Sequence, residues 1–162
     1  MPPRSIRRKD AGSFETEKPQ PVIDPLEAYP GYLLRRVSVA GMARLASRLE
    51  ALALRPTEAT VLMVIAANPG ITQSEIGRLL DMARANMAPL AARLQQRELT
   101  IRVRVDGRSQ GLSLSAAGRR LCRQIRAVMT EHESALLAKL SASQRRAFLS
   151  ALRALWSRSG QS

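Results

Sequence analysis

The sequence has few of the residues on which most enzymes and metal sites depend. It contains one cysteine, Cys122, and one histidine, His132, which cannot supply the usual ligand set of a zinc site. It has neither a glycine-rich phosphate-binding loop nor paired acidic residues on one helix face. We therefore expect no catalytic residues, no metal and no other cofactor.

Aromatic residues and long apolar runs are also scarce. Phe, Trp and Tyr make up 3% of the chain, too few for the stacking platforms that single-stranded nucleic acids need. Because no apolar run reaches 18 residues and no leader with an apolar centre is present, we expect a soluble cytoplasmic protein. Cys122 lies among apolar residues and is expected to be a buried structural thiol.

Acidic residues are the minority among the charged ones. The chain has 26 lysines and arginines against 13 acidic residues, a net charge of +13. Between Arg78 and Arg126, 11 arginines stand against three acidic residues, a net charge of +8. A clustered basic excess favours a polyanionic partner, and the shortage of aromatic residues favours duplex DNA.

A helix-turn-helix is predicted in the middle of the chain. Thr72-Gln73-Ser74-Glu75 is a T-x-x-E capping box, so a helix is expected to begin at Thr72. Asp81-Met82-Ala83 interrupts the apolar spacing before a second helix from about Arg84 to Arg97. The residues expected to face the core are Ile76, Leu79 and Leu80 on the first helix and Met87, Leu90, Ala91 and Leu94 on the second.

A two-stranded hairpin is predicted to follow. Residues 99–105 alternate between apolar and polar, Asp106-Gly107 is a strong turn dipeptide, and Leu112-Ser113-Leu114 alternates again. A hairpin in this position forms a wing. The expected fold is therefore mainly α, with a small β-hairpin wing beside a helix-turn-helix.

These motifs together resemble the MarR family of bacterial winged-helix regulators. The most specific are the D-x-R of the wing, Asp106-Gly107-Arg108, and the L-[ST]-x-x-G at Leu114 to Gly118. A less specific similarity extends from about Tyr32 to Trp156. The resemblance implies a homodimeric regulator in which Asp106 orients the wing through a nearby arginine.

Candidate DNA contacts on the second helix fall into two groups. Arg84 and Asn86 are at its first solvent-facing positions and are expected to read bases, because arginine pairs with guanine and asparagine with adenine. Arg93 and Arg97, one and two turns further on, are expected to hold phosphates. An operator in the form of an imperfect palindrome should then suit a dimer.

Candidate DNA contacts on the wing are also arginines. Arg102 and Arg104 share one strand face and are expected to touch phosphates. Arg108 is placed to enter a minor groove, where narrow A·T-rich stretches attract arginine. The alternative is that Arg108 only closes the loop by pairing with Asp106.

Two residues depart from the family pattern. Pro89 lies six residues into the second helix, where it removes an amide donor, so that the helix either kinks or begins later. Glu98 stands where many family members have glycine, which leaves the conformation of the helix exit open.

The chain is expected to divide into four regions. Residues 1–24 should form a disordered, basic and proline-rich arm, residues 25–55 an N-terminal dimerisation helix, residues 56–115 the winged helix-turn-helix, and residues 116–162 two C-terminal dimerisation helices. A capping box at Ser141-Ala142-Ser143-Gln144 opens the last helix. The terminal helices carry more apolar surface than one chain can bury, which predicts a homodimer.

A small effector is implied by the resemblance, bound between the DNA-reading unit and the dimer helices. Candidate lining residues are Tyr32, Arg36, Met63 and His132. Each has an alternative interpretation: Tyr32 and Met63 as core residues, Arg36 as a surface charge and His132 as a solvated helix residue.

Two functions are therefore expected. The first is a regulator, in this interpretation a repressor, that binds a palindromic operator and is released by an aromatic, phenolic or CoA-thioester effector. The second is a non-specific or architectural duplex-DNA binder without effector control.

Overall fold

The computed structural model describes residues 22–104 and 110–156. These residues contain six α-helices and one two-stranded antiparallel sheet, and the helix-turn-helix spans residues 73–96. The elements in chain order are α1 (Pro30–Glu50), α2 (Pro56–Ala67), α3 (Gln73–Leu79), α4 (Arg84–Gln96), β1 (Thr100–Arg104), β2 (Gln110–Leu114), α5 (Ala116–Leu136) and α6 (Ala142–Leu155).

One apolar core holds the DNA-reading half of the chain together. It joins α2, α3, α4, the hairpin and α5 to the C-terminal part of α1. Within α2 the side chains of Val61, Leu62 and Ile65 are fully buried, whereas Met63 and Val64 are half-buried. The core therefore fixes the helix-turn-helix onto α2 and α5.

The hairpin pairs Thr100 with Leu114 at its base and Arg104 with Gln110 at the limit of the described strands. Ile71 adds an isolated antiparallel bridge to Leu112, whose amide donates to the Ile71 carbonyl over 2.8 Å. The residue before the helix-turn-helix is therefore hydrogen-bonded to the wing.

The L-[ST]-x-x-G motif has a physical reason in this structure. The Ser115 hydroxyl caps α5 by accepting from the Gly118 amide over 2.9 Å, and it donates to the Glu98 carbonyl over 2.6 Å. A Cβ at Gly118 would overlap the carbonyl oxygen of Leu99. The motif therefore ties the start of α5 to the segment that leaves α4.

Two burial predictions were wrong. Leu79, expected in the core, keeps 43% of its surface exposed, because it is the last residue of a helix of only seven residues. His132, whose alternative interpretation was a solvated side chain, is only 6% exposed. It lies against α1, where a Cβ at Gly41 would be 4.0 Å from the His132 Nε2.

The terminal helices expose apolar side chains, as their sequences predict. Helix α6 contains no buried residue, and Trp156 directly after it is 71% exposed. The other large exposed apolar side chains of α1 and α6 are Leu33, Leu34, Val37, Val39, Met42, Leu149 and Leu155.

None of the helices in residues 22–104 and 110–156 is both long and apolar enough to cross a membrane.

Candidate nucleic-acid interface

The N-terminal half of α4 is open to solvent. The helix begins at Arg84, and the side chain of its N-cap residue, Ala83, forms no capping hydrogen bond. The first turn of α4 contains no acidic residue. Arg84 and Asn86 are exposed, while Met87 on the opposite face is buried. An uncapped, acid-free helix start favours a negatively charged neighbour, because its first amides carry partial positive charge.

Pro89 lies inside α4 and does not delay the start of the helix. A proline has no amide hydrogen, so the helical bond to the carbonyl of Ala85 is missing. Pro89 and Ala85 are both exposed, so water can satisfy that carbonyl. The later helix start considered from the sequence is wrong.

The C-terminal half of α4 is fastened to the start of α2 and to the segment that precedes α2. The Nε of Arg93 lies 3.3 Å from the Oε1 of Glu58, whose side chain is 8% exposed while that of Arg93 is 47% exposed. The Oε2 of Glu58 accepts from the backbone amide of Arg55 over 2.9 Å. The Nη1 of Arg97 donates to the Ala53 carbonyl over 2.9 Å. The two arginines of this helix end that were expected to hold phosphates, Arg93 and Arg97, thus have protein partners.

Glu58 has a role at this interface that the sequence did not indicate. Its position three residues after Arg55 is that of a helix-capping acid, which was a usable signal for the bond to the Arg55 amide. The pairing with Arg93, 35 residues away in the chain, had no local signal. Glu58 therefore links the start of α2 to the recognition helix.

The backbone after α4 shows which conformation Glu98 adopts in place of the glycine of many family members. Its φ is +55°, the left-handed conformation that glycine usually supplies. The amide of Glu98 donates to the Gln95 carbonyl over 2.8 Å and that of Leu99 to the Leu94 carbonyl over 3.0 Å, the bond pair of a Schellman motif. Glu98 thus adopts the backbone conformation of the missing glycine.

The start of α3 is capped on both sides, unlike that of α4. The Glu75 carboxylate accepts from the Thr72 amide over 2.8 Å and from its hydroxyl over 2.7 Å, and the hydroxyl accepts from the Glu75 amide. These bonds, that from the backbone amide first, lower the pKa of Glu75. The capping box predicted at Thr72 is present.

The turn between α3 and α4 is closed by backbone. Asp81 adopts φ +51°, and the Met82 amide donates to the Gly77 carbonyl over 2.8 Å. A groove of about 970 Å³ is lined by the start of α3, this turn, the start of α4 and Gln110 of the wing. Arg78 and Arg84 line it together with one acidic residue, Asp81, so the entrance to the recognition helix is concave and carries a net positive charge.

The base of the wing holds its arginines differently. Arg102 donates from Nη1 to the Oε1 of Gln110 over 3.1 Å and from Nη2 to the Oε1 of Gln95 over 3.4 Å, which ties the wing to α4. Arg104 is exposed. Asp106 and Arg108, expected at the wing tip, lie outside the described residues.

The groove at the start of α4 is lined by none of the four candidate effector residues. The Tyr32 hydroxyl donates to the Oδ2 of Asp24 over 2.7 Å, and Arg36 lies 3.1 Å from the same oxygen. Hydrogen bonding, that from Tyr32 first, lowers the pKa of Asp24. Met63 is half-buried on the core and His132 is buried against α1. Their role toward an effector stays a prediction.

Cys122 is buried, as expected. Its Sγ lies 3.5 Å from the Leu62 carbonyl oxygen, and burial raises the pKa of its thiol. A thiol that resists ionisation is a poor nucleophile and fits a structural role.

The fold and this interface define a winged helix-turn-helix protein, and comparison with known proteins gives its family. Residues 53–109 match the sequence model of the MarR family. The HTH-type transcriptional repressor Rv2887 of Mycobacterium tuberculosis (strain ATCC 25618 / H37Rv) is 30% identical over 120 residues, which span 73% of this chain and 86% of that protein. The chain belongs to the MarR family.

Solved structures of similar proteins agree with the fold. The Rv2887 protein in complex with DNA matches with a TM-score of 0.70 and 27% identity, covering 81% of this chain and all of that one. Its complex with salicylic acid gives 0.66 and 29%, covering 80% and 97%. The transcriptional repressor CouR, bound to p-coumaroyl-CoA, gives 0.73 and 27%, covering 86% and 99%.

Proposed function

We propose that this protein is a ligand-responsive transcriptional regulator, acting as a repressor, that binds a palindromic operator in duplex DNA as a homodimer. Membership of the MarR family supports the proposal. Its relative Rv2887, a protein named as a transcriptional repressor and solved in complex with DNA, also supports the proposal.

The observation that carries the proposal is the exposed start of α4. Arg84 and Asn86 project from a helix that is buried on its other face by Met87, Leu90 and Leu94. The second helix of a helix-turn-helix enters the major groove with its N-terminal residues against base edges. There Arg84 can bond to guanine O6 and N7, and Asn86 to adenine N6 and N7.

Phosphate contacts come from basic side chains around this helix. Arg102 and Arg104 lie on the wing beside α4, and Arg78 lines the groove in front of it. Arg93 and Arg97 already have protein partners, so their part in phosphate binding requires them to use their remaining N–H groups. Asp106 and Arg108 keep their proposed roles at the wing tip.

The exposed apolar surface supports the homodimer. Side chains such as Val37 and Met42 on α1, and Leu149 and Leu155 on α6, are 48–74% exposed to solvent within one chain. Apolar area of this kind is removed from water by association with a second copy. A two-fold dimer then presents two recognition helices to half-sites about one helical turn apart.

The effector is proposed to be a small organic acid or its CoA thioester. Two relatives support this class, since one is solved with salicylic acid and another with p-coumaroyl-CoA. The arginine excess of this chain suits an anion. Release of DNA upon binding completes the regulatory cycle.

A fluorescence-anisotropy titration tests the function. The DNA upstream of the protein's own gene is compared with a scrambled duplex of equal length at two salt concentrations. We expect a preference of about 10³-fold or more for the upstream DNA. If six to ten phosphates are neutralised by the dimer, affinity should also fall by a factor on the order of 10³ between low and moderate salt.

The net charge of +13 favours a second candidate function, a non-specific or architectural duplex binder. Such a protein uses the basic surface and not the base readers. It predicts equal, steeply salt-dependent affinities for the upstream and scrambled duplexes. That result at every operator candidate would replace the first function by the second.

A further inference from the structure

A second basic feature of the molecule lies away from the recognition helix. The first half of α5 carries Arg119, Arg123 and Arg126 at helical spacings of four and three, so they share one face. Within residues 22–104 and 110–156 none of them is ion-paired with a carboxylate. Arg119 donates from Nη1 to the Leu114 carbonyl over 3.0 Å, and Arg123 donates from Nη1 to the Arg119 carbonyl over 3.4 Å, which leaves further N–H groups on each.

These arginines line a cavity that has an apolar floor. The cavity has a volume of about 430 Å³ and lies between the end of α2, the base of the wing and α5. Ala66, Pro69 and Ile101 form its apolar floor, and Ile101 keeps 49% of its surface exposed. No acidic residue lines it. Its volume is within the range of small-molecule sites.

The combination of floor and arginines selects one class of occupant. A bare phosphate or a DNA backbone would leave the apolar floor in water, and a neutral apolar molecule would leave the guanidinium groups unused. A small organic anion with a ring or chain satisfies both, because its body covers Ala66 and Ile101 while its carboxylate accepts charge-assisted hydrogen bonds from the arginines.

We infer that this cavity is an effector site for small aromatic carboxylates. The inference rests on the proposed function and places the effector beside residues other than Tyr32, Arg36, Met63 and His132. An occupant would contact α5 on one side and the wing strands on the other, at Ile101 and Ser113. The Ser113 hydroxyl also accepts from the Gly70 amide over 3.0 Å, next to the helix-turn-helix. Binding here therefore reaches the DNA-reading unit through the wing.

Calorimetric titration of the full chain with sodium salicylate, and with salicylamide as the neutral counterpart, tests the site. We expect salicylate to bind and salicylamide to bind about tenfold more weakly or not at all. Arg126→Gln should weaken salicylate binding by about tenfold. Arg120→Gln is the matched control, since Arg120 is exposed on the same helix but does not line the cavity, and it should change affinity by less than about twofold.

A variant that fills the cavity gives a test independent of charge. Ala66→Phe should remove salicylate binding while the protein, checked by circular dichroism, stays folded; if this variant does not fold, the two arginine variants still decide. No salicylate binding by the unmodified protein, or equal weakening by Arg126→Gln and Arg120→Gln, would overturn the site.

Adding salicylate to the anisotropy titration separates this inference from the proposed function. Lower affinity for the preferred DNA in salicylate, lost in Arg126→Gln, supports an effector site. Unchanged DNA affinity despite calorimetric binding would overturn the regulatory part. If the protein prefers no DNA sequence at all, the proposed function fails, while calorimetry still decides whether the cavity binds the acid.

Discussion

The two ends of the recognition helix are held in opposite ways. At its start, Arg84 and Asn86 are exposed after an N-cap that forms no side-chain bond. At its end, Arg93 pairs with Glu58 at the start of α2, Arg97 donates to the Ala53 carbonyl before α2, and Glu98 closes a Schellman motif. The helix is thus fixed through its C-terminal half and offers its N-terminal half to a partner. Arg84 and Arg97 are only thirteen residues apart, yet Arg84 is exposed and Arg97 is bonded to the Ala53 carbonyl. The two arginines therefore have different roles.

The largest difference between the two ends should appear in stability. Leu94 is fully buried under the fastened end, so Leu94→Ala should cost about 2–5 kcal/mol of unfolding free energy. Asn86→Ala at the open end should cost less than about 0.5 kcal/mol. Urea unfolding at a fixed protein concentration measures both. Similar losses for the two variants would contradict the division of the helix into a held and an open end.

The link through Glu58 should have the next largest effect. Glu58→Ala removes the acceptor of both Arg55 and Arg93 and should cost about 1–3 kcal/mol, nearer the lower value because Arg93 is half exposed. Glu58→Gln keeps an acceptor for the Arg55 amide and should cost less. If Glu58→Ala unfolds at the same urea concentration as the unmodified protein, the link does not fasten the helix.

The exit of the helix can be improved by one substitution. Glu98 has a positive φ that glycine adopts without strain, so Glu98→Gly should raise the unfolding free energy by about 0.5–1 kcal/mol. Glu98→Ala, which removes the carboxylate but keeps the Cβ, should give no such gain. A thermal unfolding experiment distinguishes them. An equal gain in both variants would assign the effect to charge and not to backbone conformation.

The smallest effect on stability is expected when the pH is lowered far enough to protonate Glu75. This residue caps the start of α3, whereas the start of α4 has no side-chain cap. The pKa of Glu75 is lowered below its usual 4.5 by hydrogen bonds from Thr72. Its stabilising contribution is therefore complete above that usual value and is lost as pH falls through the lowered pKa. The stability difference between the unmodified protein and Glu75→Gln should be constant above about pH 5.5 and shrink below pH 4. A difference independent of pH would contradict the cap.

Local sequence was sufficient to predict where α3, α4 and α6 begin. The capping boxes at Thr72 and Ser141 are present, because they need only residues within one turn. The two strands of the wing also begin and end within two residues of the expected positions. Periodicity and turn chemistry act over short distances, so they can be seen in the chain itself.

Tertiary partners could not be predicted in the same way. Arg93 and Arg97 were assigned to phosphates from helical spacing alone, yet Glu58 and Ala53 lie within their reach only after folding. The buried His132 packs near Gly41 of α1, which lies about ninety positions earlier in the printed sequence. The cavity lined by Arg123 and Arg126 needs α2 and the wing to supply its floor. Each of these features joins distant segments and has no local signal.

The measurement that tests the central claim most directly is the affinity of Arg84→Ala and Arg97→Ala for the preferred duplex and for a scrambled duplex. If the open end of α4 reads bases, Arg84→Ala should lose about 1–3 kcal/mol on the preferred duplex and little on the scrambled one. Arg97→Ala should keep the ratio of the two affinities unchanged. Equal losses of Arg84→Ala on both duplexes would contradict the account, because the exposed start of the helix would then bind DNA without reading its sequence.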